Sequence, residues 1–446
     1  MGFASLDEVS RTLKVGLGFE KETVEAILAD AKLAEDQFKR FRALQTQFGA
    51  DRVDFSDAKK GLRKRLDNLR HQLDQLLAKD YDVDTRNAAD FQMWYGSHRP
   101  FHWFAEFYGI MSEGGFDVVI GNPPWIEYAK VKKEYVVRNC QTEPCGNLHG
   151  LCTERGLHIR SPMGYMSFIV QLPIVSSSRM SSVRRTLREM SGQVYVLPFA
   201  DRPGKLFDGL EHSRATIWIS HGVTQSNISC AQLATSRYQR WPTEHRPHLF
   251  NLLEYTPVSE SPLHPSQFPK CPNKLAIHAL VKLRQKGTRE IGEFVSRSKT
   301  SHFVFYQEAT EYWVKATVGL PYYARNGTVA APAHGRYLYF TDNDVAHWVC
   351  ATMHSSLFFL YFTTFSDCFH LSDNLVRAFP IPEALVEDRK IAQLGKRLMQ
   401  NLQSTAVRKI IQTRDGYRIG YDEYYGWKAK AVIDQIDGLL AKHYGF

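Results

Sequence analysis

Apolar residues recur at helical spacing near the start of the chain and at strand spacing further on. Val24, Ile27, Ala31, Ala34, Phe38, Phe41 and Phe48 advance by threes and fours, interrupted only at Gln45, and Leu62, Leu66, Leu69, Leu73 and Leu76 do the same. Each set falls on one helix face, and the stretch from Gly49 to Ser56 between them is poor in helix formers, so an antiparallel helical hairpin is expected over 1–88. Four short runs follow: Phe116–Ile120, Met166–Val170, Gln193–Leu197 and Ala215–Ile219, with a basic helical stretch from Arg179 to Met190 between the second and third. Strands alternating with helices predict a mainly parallel, helix-covered sheet over 89–222. Residues 223–383 are irregular, rich in Pro, His, Thr and aromatics, and read as a mixed α/β region with large loops. Helical spacing returns over 384–446, in Leu385, Ile391, Leu394, Leu398 and Leu402 and again in Ile433, Ile436, Leu439 and Leu440. The expected fold class is α/β.

Composition adds three constraints. A net charge of +9 speaks to partners rather than fold and mildly favours a polyanion. The longest apolar run, Ser355–Phe362, is too short to cross a bilayer. Seven cysteines, an odd number without an export signal, read as free thiols in a cytoplasmic protein.

The sharpest local feature is Gly121-Asn122-Pro123-Pro124-Trp125, directly after the run Phe116–Ile120. Open α/β sheets place their sites at the carboxyl ends of strands. An exocyclic amine such as that of adenine is a poor nucleophile, because its lone pair is delocalised into the ring. Two acceptors aimed at its hydrogens draw it towards a tetrahedral, more nucleophilic geometry. The Asn122 side-chain oxygen and the Pro123 carbonyl suit that task, Pro123 and Pro124 stiffen the backbone, and Trp125 offers a stacking face for an extruded base.

With its surroundings, this block resembles the adenine-specific DNA methyltransferases of fused restriction–modification and phage-defence systems. The likeness runs from Phe101-His102-Trp103-Phe104-Ala105-Glu106-Phe107-Tyr108-Gly109 through Gly114–Trp125, Glu127–Val131 and Cys145-Gly146-Asn147-Leu148. It resumes at Pro203-Gly204-Lys205-Leu206-Phe207-Asp208-Gly209 and at His443-Tyr444-Gly445-Phe446. The resemblance implies a partial Rossmann-like methyltransferase sheet, a target-recognition domain over 223–383, S-adenosylmethionine as donor and adenine in double-stranded DNA as substrate. It also implies Asn122, Pro123, Pro124 and Trp125 as the catalytic loop; Phe207 suits a second base-stacking ring and a core residue equally. Asp117 and Asn147 are then donor-pocket candidates, and Arg179, Tyr322, Arg325, Asn326 and His370 DNA contacts.

The chain departs from the family in three places. The Asp-Pro-x-x-Gly-Ser-Gly turn that holds the donor has no counterpart, and Val15-Gly16-Leu17-Gly18 lacks the strand before it that such a loop needs. His149 and the neighbourhood of Cys152 stand where aromatics are usual, and Ser161-Pro162-Met163-Gly164-Tyr165 replaces a double-glycine turn. Because the segment resembling Gly2–Val9 follows the donor-binding half in the family, the chain reads as the second half of a longer protein, truncated and inactive alone, with the donor-binding half lying upstream or on a separately encoded partner. The rival readings are a non-catalytic DNA-binding remnant and a methyltransferase of RNA or protein amides.

Lesser signals are set aside. Cys140, Cys145, His149 and Cys152 match no common zinc spacing, so no metal is expected. The arginines at 179, 184, 185 and 188 suit phosphate contact, but a solvated helix face is expected for at least half of them. No clustered carboxylates with a lysine suggest a nuclease.

Overall fold

The computed structural model describes residues 21–46, 52–209, 213–223, 231–258, 264, 266–310, 312–332 and 335–446. Phe48, the Val15–Gly18 stretch and the segment Gly2–Val9 lie outside them. Among the described residues no helix is long and apolar enough to cross a membrane.

The chain divides into two compact units. The first comprises Met1–Val170, Arg179–Tyr195 and Ile217–Gln232, and it contains the expected hairpin of helices α1 (Lys21–Thr46) and α2 (Arg52–Asp80). Ile27, Ala31 and Ala34 of α1 and Leu69, Leu73 and Leu76 of α2 share one buried core, as their spacing requires. Helix α3 (Ala88–His98) joins it through Phe91 and Trp94, and Asn87 caps its first turn by accepting from the Ala89 amide. Asp74, buried in α2, bonds the equally buried His102 at 3.0 Å, anchoring the chain just before the sheet.

Six strands form the main sheet, in the order β1-β2-β4-β3-β5-β6. They are β1 (Phe116–Gly121), β2 (Arg160–Gln171), β3 (Gln193–Phe199), β4 (Ala215–His221), β5 (Gln232–Thr235) and β6 (Thr256–Val258). All four predicted runs are therefore strands. β1 is the outermost strand and pairs in parallel with β2, through Val118–Tyr165, Val119–Met166, Ile120–Ser167 and Gly121–Phe168. β5 and β6 pair antiparallel.

Helix α4 (Leu148–Ile159) covers one face of β2. A side chain at Gly156 would meet the Met166 sulfur and methyl at under 3 Å, so the glycine lets the Met166 side chain fill the space between helix and strand. Helix α5 (Ser181–Glu189) packs against α4, with Val183 of α5 against Gly150 of α4. On the covered face Met166, Val170 and Trp218 are wholly buried, and Phe168 meets Trp218 at 5.6 Å.

The second unit comprises Gln171–Ser178, Val196–Thr216 and Leu233–Phe446. A three-stranded antiparallel sheet, in the order β11-β7-β8, is built from β7 (His302–Gln307), β8 (Ala316–Val318) and β11 (Gly335–Phe340). Helix α6 (Lys274–Lys286) precedes the sheet in the chain, helix α7 (Asn343–Met353) packs against it, and α8 (Ser356–Phe365) follows α7. The helices expected towards the end are present as α9 (Arg389–Ser404) and α10 (Lys430–Tyr444). Between them, however, lie two strands, β12 (Val407–Gln412) and β13 (Arg418–Glu423), so the end of the chain is not helical throughout. They join β9 (Tyr323–Arg325) and β10 (Thr328–Val329) in a four-stranded sheet ordered β10-β9-β13-β12. The physical cause is visible in the residues: Val407, Ile410, Ile411 and Ile419 are β-branched, and Arg414-Asp415-Gly416 supplies a hairpin turn, with Gly416 at φ +82°.

Candidate active site

The loop Gly121–Trp125 leaves the carboxyl end of β1 as the sequence predicts. Asn122 and Pro124 are exposed, Pro123 is buried and Trp125 is half-buried. Two prolines cannot donate to a strand ladder, so the strand must end here, and their fixed φ holds the loop in one shape. The Trp125 indole N–H donates to the Ile169 carbonyl of β2 at 3.2 Å, which fixes the edge of the ring while leaving part of its surface open. The loop thus carries an exposed amide, a stiffened carbonyl and a tethered indole within four residues.

The chain after the loop is tied to the start of α4. The Leu148 amide donates to the Ile126 carbonyl and the Tyr128 amide to the Gly146 carbonyl, both at 2.9 Å. Arg179 bridges to Glu127 at 2.8 Å and lies against Gly146. Further along, the buried carboxylate of Glu154 accepts from the Cys140 thiol (3.0 Å), the Gln141 amide (3.0 Å), and the Thr142 amide and hydroxyl (2.8 Å each). Burial alone would raise its pKa, but these donors outweigh burial and hold it below the usual range. No pattern in the sequence marks Glu154; its role arises from a loop folding back on α4.

The cysteine and histidine group behaves as buried structure. Burial pushes the Cys140 thiol up to about 12, with the hydrogen bond to Glu154 adding to it, and also raises the Cys145 and Cys152 thiols. His149 is 0% exposed, neither ring nitrogen has a hydrogen-bond partner, and burial lowers its pKa to about 4. Among the described residues no cluster of three or more potential ligands is placed to hold a metal ion.

The two donor-pocket candidates are placed apart in character. Asn147 is buried, and its side-chain oxygen accepts from the His149 amide at 3.2 Å, capping α4. Asp117 is exposed on β1. With Asn147 occupied as a cap, and no described strand beyond β1 to carry a glycine turn, these residues do not by themselves fit S-adenosylmethionine.

The remaining candidates divide by unit. Arg179 belongs with the loop in the first unit, engaged by Glu127. Arg184, by contrast, is buried, so that part of the predicted basic helix presents no charge to solvent. Phe207 is in the second unit, partly exposed. Tyr322 precedes β9 and lies beneath Arg408, whereas Arg325 and Asn326 lie at the β9–β10 turn, where Asn326, at φ +49°, bonds the Arg418 backbone through both its amide and its side chain. His370 lies elsewhere in that unit, its ring held by Asp367 at 2.6 Å.

Residues 31–200, which hold the loop, match the model of the Eco57I restriction-modification methylase family. The class that this stretch resembles is therefore a restriction-modification methylase. Among curated proteins, a type II restriction enzyme and methyltransferase of Methanocaldococcus jannaschii is 29% identical over 89 residues, 20% of this chain and 8% of the relative. Solved structures give weaker likenesses. A nuclease-deletion form of the Type ISP enzyme LlaGI, with a DNA substrate mimic, is 10% identical over 72% of this chain and 48% of that one, at a TM-score of 0.35. A class I S-adenosylmethionine-dependent methyltransferase of Listeria monocytogenes is 19% identical over 38% and 55% of the two chains, at a TM-score of 0.21. The chain thus spans a small part of the curated relative and about half of either structure.

Proposed function

We propose that this chain carries the catalytic loop and DNA-binding parts of a site-specific adenine methyltransferase that uses S-adenosylmethionine. The observation that carries the reading is Asn122-Pro123-Pro124-Trp125 at the carboxyl end of β1, stiffened by two prolines and fastened to β2 through the indole. The Asn122 Oδ1 and the Pro123 carbonyl accept the two amine hydrogens of an adenine rotated out of the duplex, and Trp125 stacks on its ring. The donor's chemistry is a methyl group on a sulfonium; its pocket must be completed by other residues.

A second segment of polypeptide is the natural source of that pocket. Among the described residues no strand pairs with the outer edge of β1, and on the face away from α4 Val118 and Ile120 are 62% and 78% exposed, with Tyr165 beside them at 50%. Parallel sheets are normally buried on both faces. A strand added beside β1, followed by a helix crossing back, would cover both edge and face and bring its own turn next to Asn122. A second copy pairing edge to edge through a two-fold axis would leave the face open.

Tritiated methyl transfer to plasmid DNA tests the reading, with this chain alone and with the donor-binding segment supplied in trans. Transfer that depends on Asn122 is expected, and transfer unchanged in Asn122→Ala refutes the assigned role. Calorimetric titration of the reconstituted pair with the donor separates an enzyme from a DNA-binding remnant, since a remnant takes up none.

A further inference from the structure

We infer that the tip of the hairpin β12–β13 is a second DNA-engaging element, which holds phosphates of the duplex through Arg414 and Arg418. The inference rests on DNA being the substrate, but it concerns residues outside the region whose sequence suggested target recognition. Every residue of β12 is exposed although the strand is fully paired with β13, so among the described residues the outer strand of the four-stranded sheet is bare along its free edge, while β13 is half-buried and pairs with β9 on its other side. Exposed edge strands of this kind are an aggregation hazard unless charge or a partner covers them. Here charged side chains line the edge, and the tip carries Arg414 and Arg418 against the single acid Asp415.

Near the base of the hairpin, Arg408 and Lys409 are matched by Asp422 and Glu423 on the facing strand. Towards the turn the pattern changes. Arg414 and Arg418 are exposed and make no ion pair among the described residues, and Gln412 sits opposite Arg418 in the register. Arg325 of the adjoining strand lies over the Tyr417 ring at 3.7 Å, and Arg408 lies over Tyr322 at 3.4 Å. Stacking holds a guanidinium flat and reduces the entropy lost when its outer N–H groups bind an oxyanion. The Asn326 clamp on Arg418 fixes the β9–β10 turn beside the same end. The result is a stiff sheet edge whose tip presents two arginines outside any ion pair among the described residues, the side chains that hold phosphates.

Charge complementarity selects DNA over a protein strand. A partner strand added to β12 would satisfy the edge and cover Ile410 and Ile411, but it would leave Arg414 and Arg418 without a counter-charge.

Fluorescence anisotropy with a labelled duplex of mixed sequence, at a series of salt concentrations, tests this on the full chain. Arg414→Ala/Arg418→Ala is expected to bind at least ~10-fold more weakly and to lower the slope of log affinity against log salt by about two, roughly one for each phosphate no longer neutralised. Lys59→Ala/Lys60→Ala, which removes the same charge from exposed positions of α2, is expected to change affinity less than about twofold, because it lowers the net charge without touching a phosphate. Both variants should keep the wild-type thermal unfolding. If wild type binds duplex and the hairpin variant matches it in affinity and slope, the hairpin is not a DNA element, while the reading of DNA as substrate stands. If wild type binds no duplex even at low salt, both fall. If Ile410→Lys dissolves a self-associated form and leaves duplex affinity unchanged, β12 is a protein-pairing edge and the inference is overturned.

Discussion

The two faces of the sheet at β1 and β2 are packed in opposite ways. Beneath α4, Met166, Val170 and Trp218 have no solvent exposure, and Gly156 lets the Met166 side chain fill the space between helix and strand. On the other face Val118, Ile120 and Tyr165 lie open although two of the three are β-branched. The same strand chemistry is therefore satisfied on one side and unsatisfied on the other. That contrast separates the side on which stability is internal to the chain from the side on which, in the proposed reading, another segment supplies it.

The largest effect is expected on the closed side. Trp218→Ala should cost about 3–5 kcal/mol, since it removes a wholly buried ring that packs on Phe168 and leaves a cavity. Urea unfolding measures it. A loss below ~1 kcal/mol would mean that α4 does not clamp this face as described.

Next comes the loop at the end of β1. In a reconstituted methyl-transfer assay Asn122→Ala should lower turnover by about 10²- to 10³-fold, the scale for removing one preorganised group aimed at the reacting centre. Its unfolding curve should superimpose on that of wild type, because Asn122 is exposed. Both measurements together separate a reacting group from a structural one.

Much of this was legible in the residues. The steps of Ile27, Ala31 and Ala34 and of Leu69, Leu73 and Leu76 encode the helical hairpin directly, because burial in a helix pair enforces that spacing. The run Phe116–Ile120 ending in Gly-Asn-Pro-Pro announces both a strand and its terminus. The hairpin β12–β13 was harder: Arg408, Lys409 and Arg418 interrupt its β-branched residues, and periodicity read across it from α9 to α10 looks helical. The Asp415-Gly416 pair was the available signal. Glu154 could not be found at all from the sequence, since its four donors come from a loop whose return path is tertiary. The open face was equally hidden, because apolar residues in a strand say only that something should cover them.

The buried ionisable groups behind α4 sharpen the closed side by pH. Glu154→Gln should cost roughly 1–3 kcal/mol at neutral pH, through loss of a charged acceptor for four donors. Its folded pKa is depressed below the ordinary 4.5, so its contribution is complete above pH 4.5 and fades as pH falls through the lower folded value. The gap between variant and wild type should narrow over that range. His149 acts in a different window. It is neutral when folded down to about pH 4 but protonates near 6.5 when unfolded, so stability falls as pH drops from 6.5 to 4. His149→Phe should flatten part of that slope. His354, also lowered to about 4 by burial, contributes the same sign and remains.

The smallest effect on stability belongs to the open face, and it is the most informative. Ile120→Lys places a charge at a position 78% exposed, so the isolated chain should change by no more than about 0.5 kcal/mol. If a donor-binding strand and helix normally cover this face, the buried ammonium would cost several kcal/mol in the assembled protein. The variant should then fold and bind DNA like wild type, yet fail to be activated by the segment supplied in trans. An Asn122→Ala chain would differ from it, assembling normally and failing only in transfer. Should Ile120→Lys assemble and methylate as well as wild type, the open face would be ordinary surface, and the donor pocket would have to form without covering it.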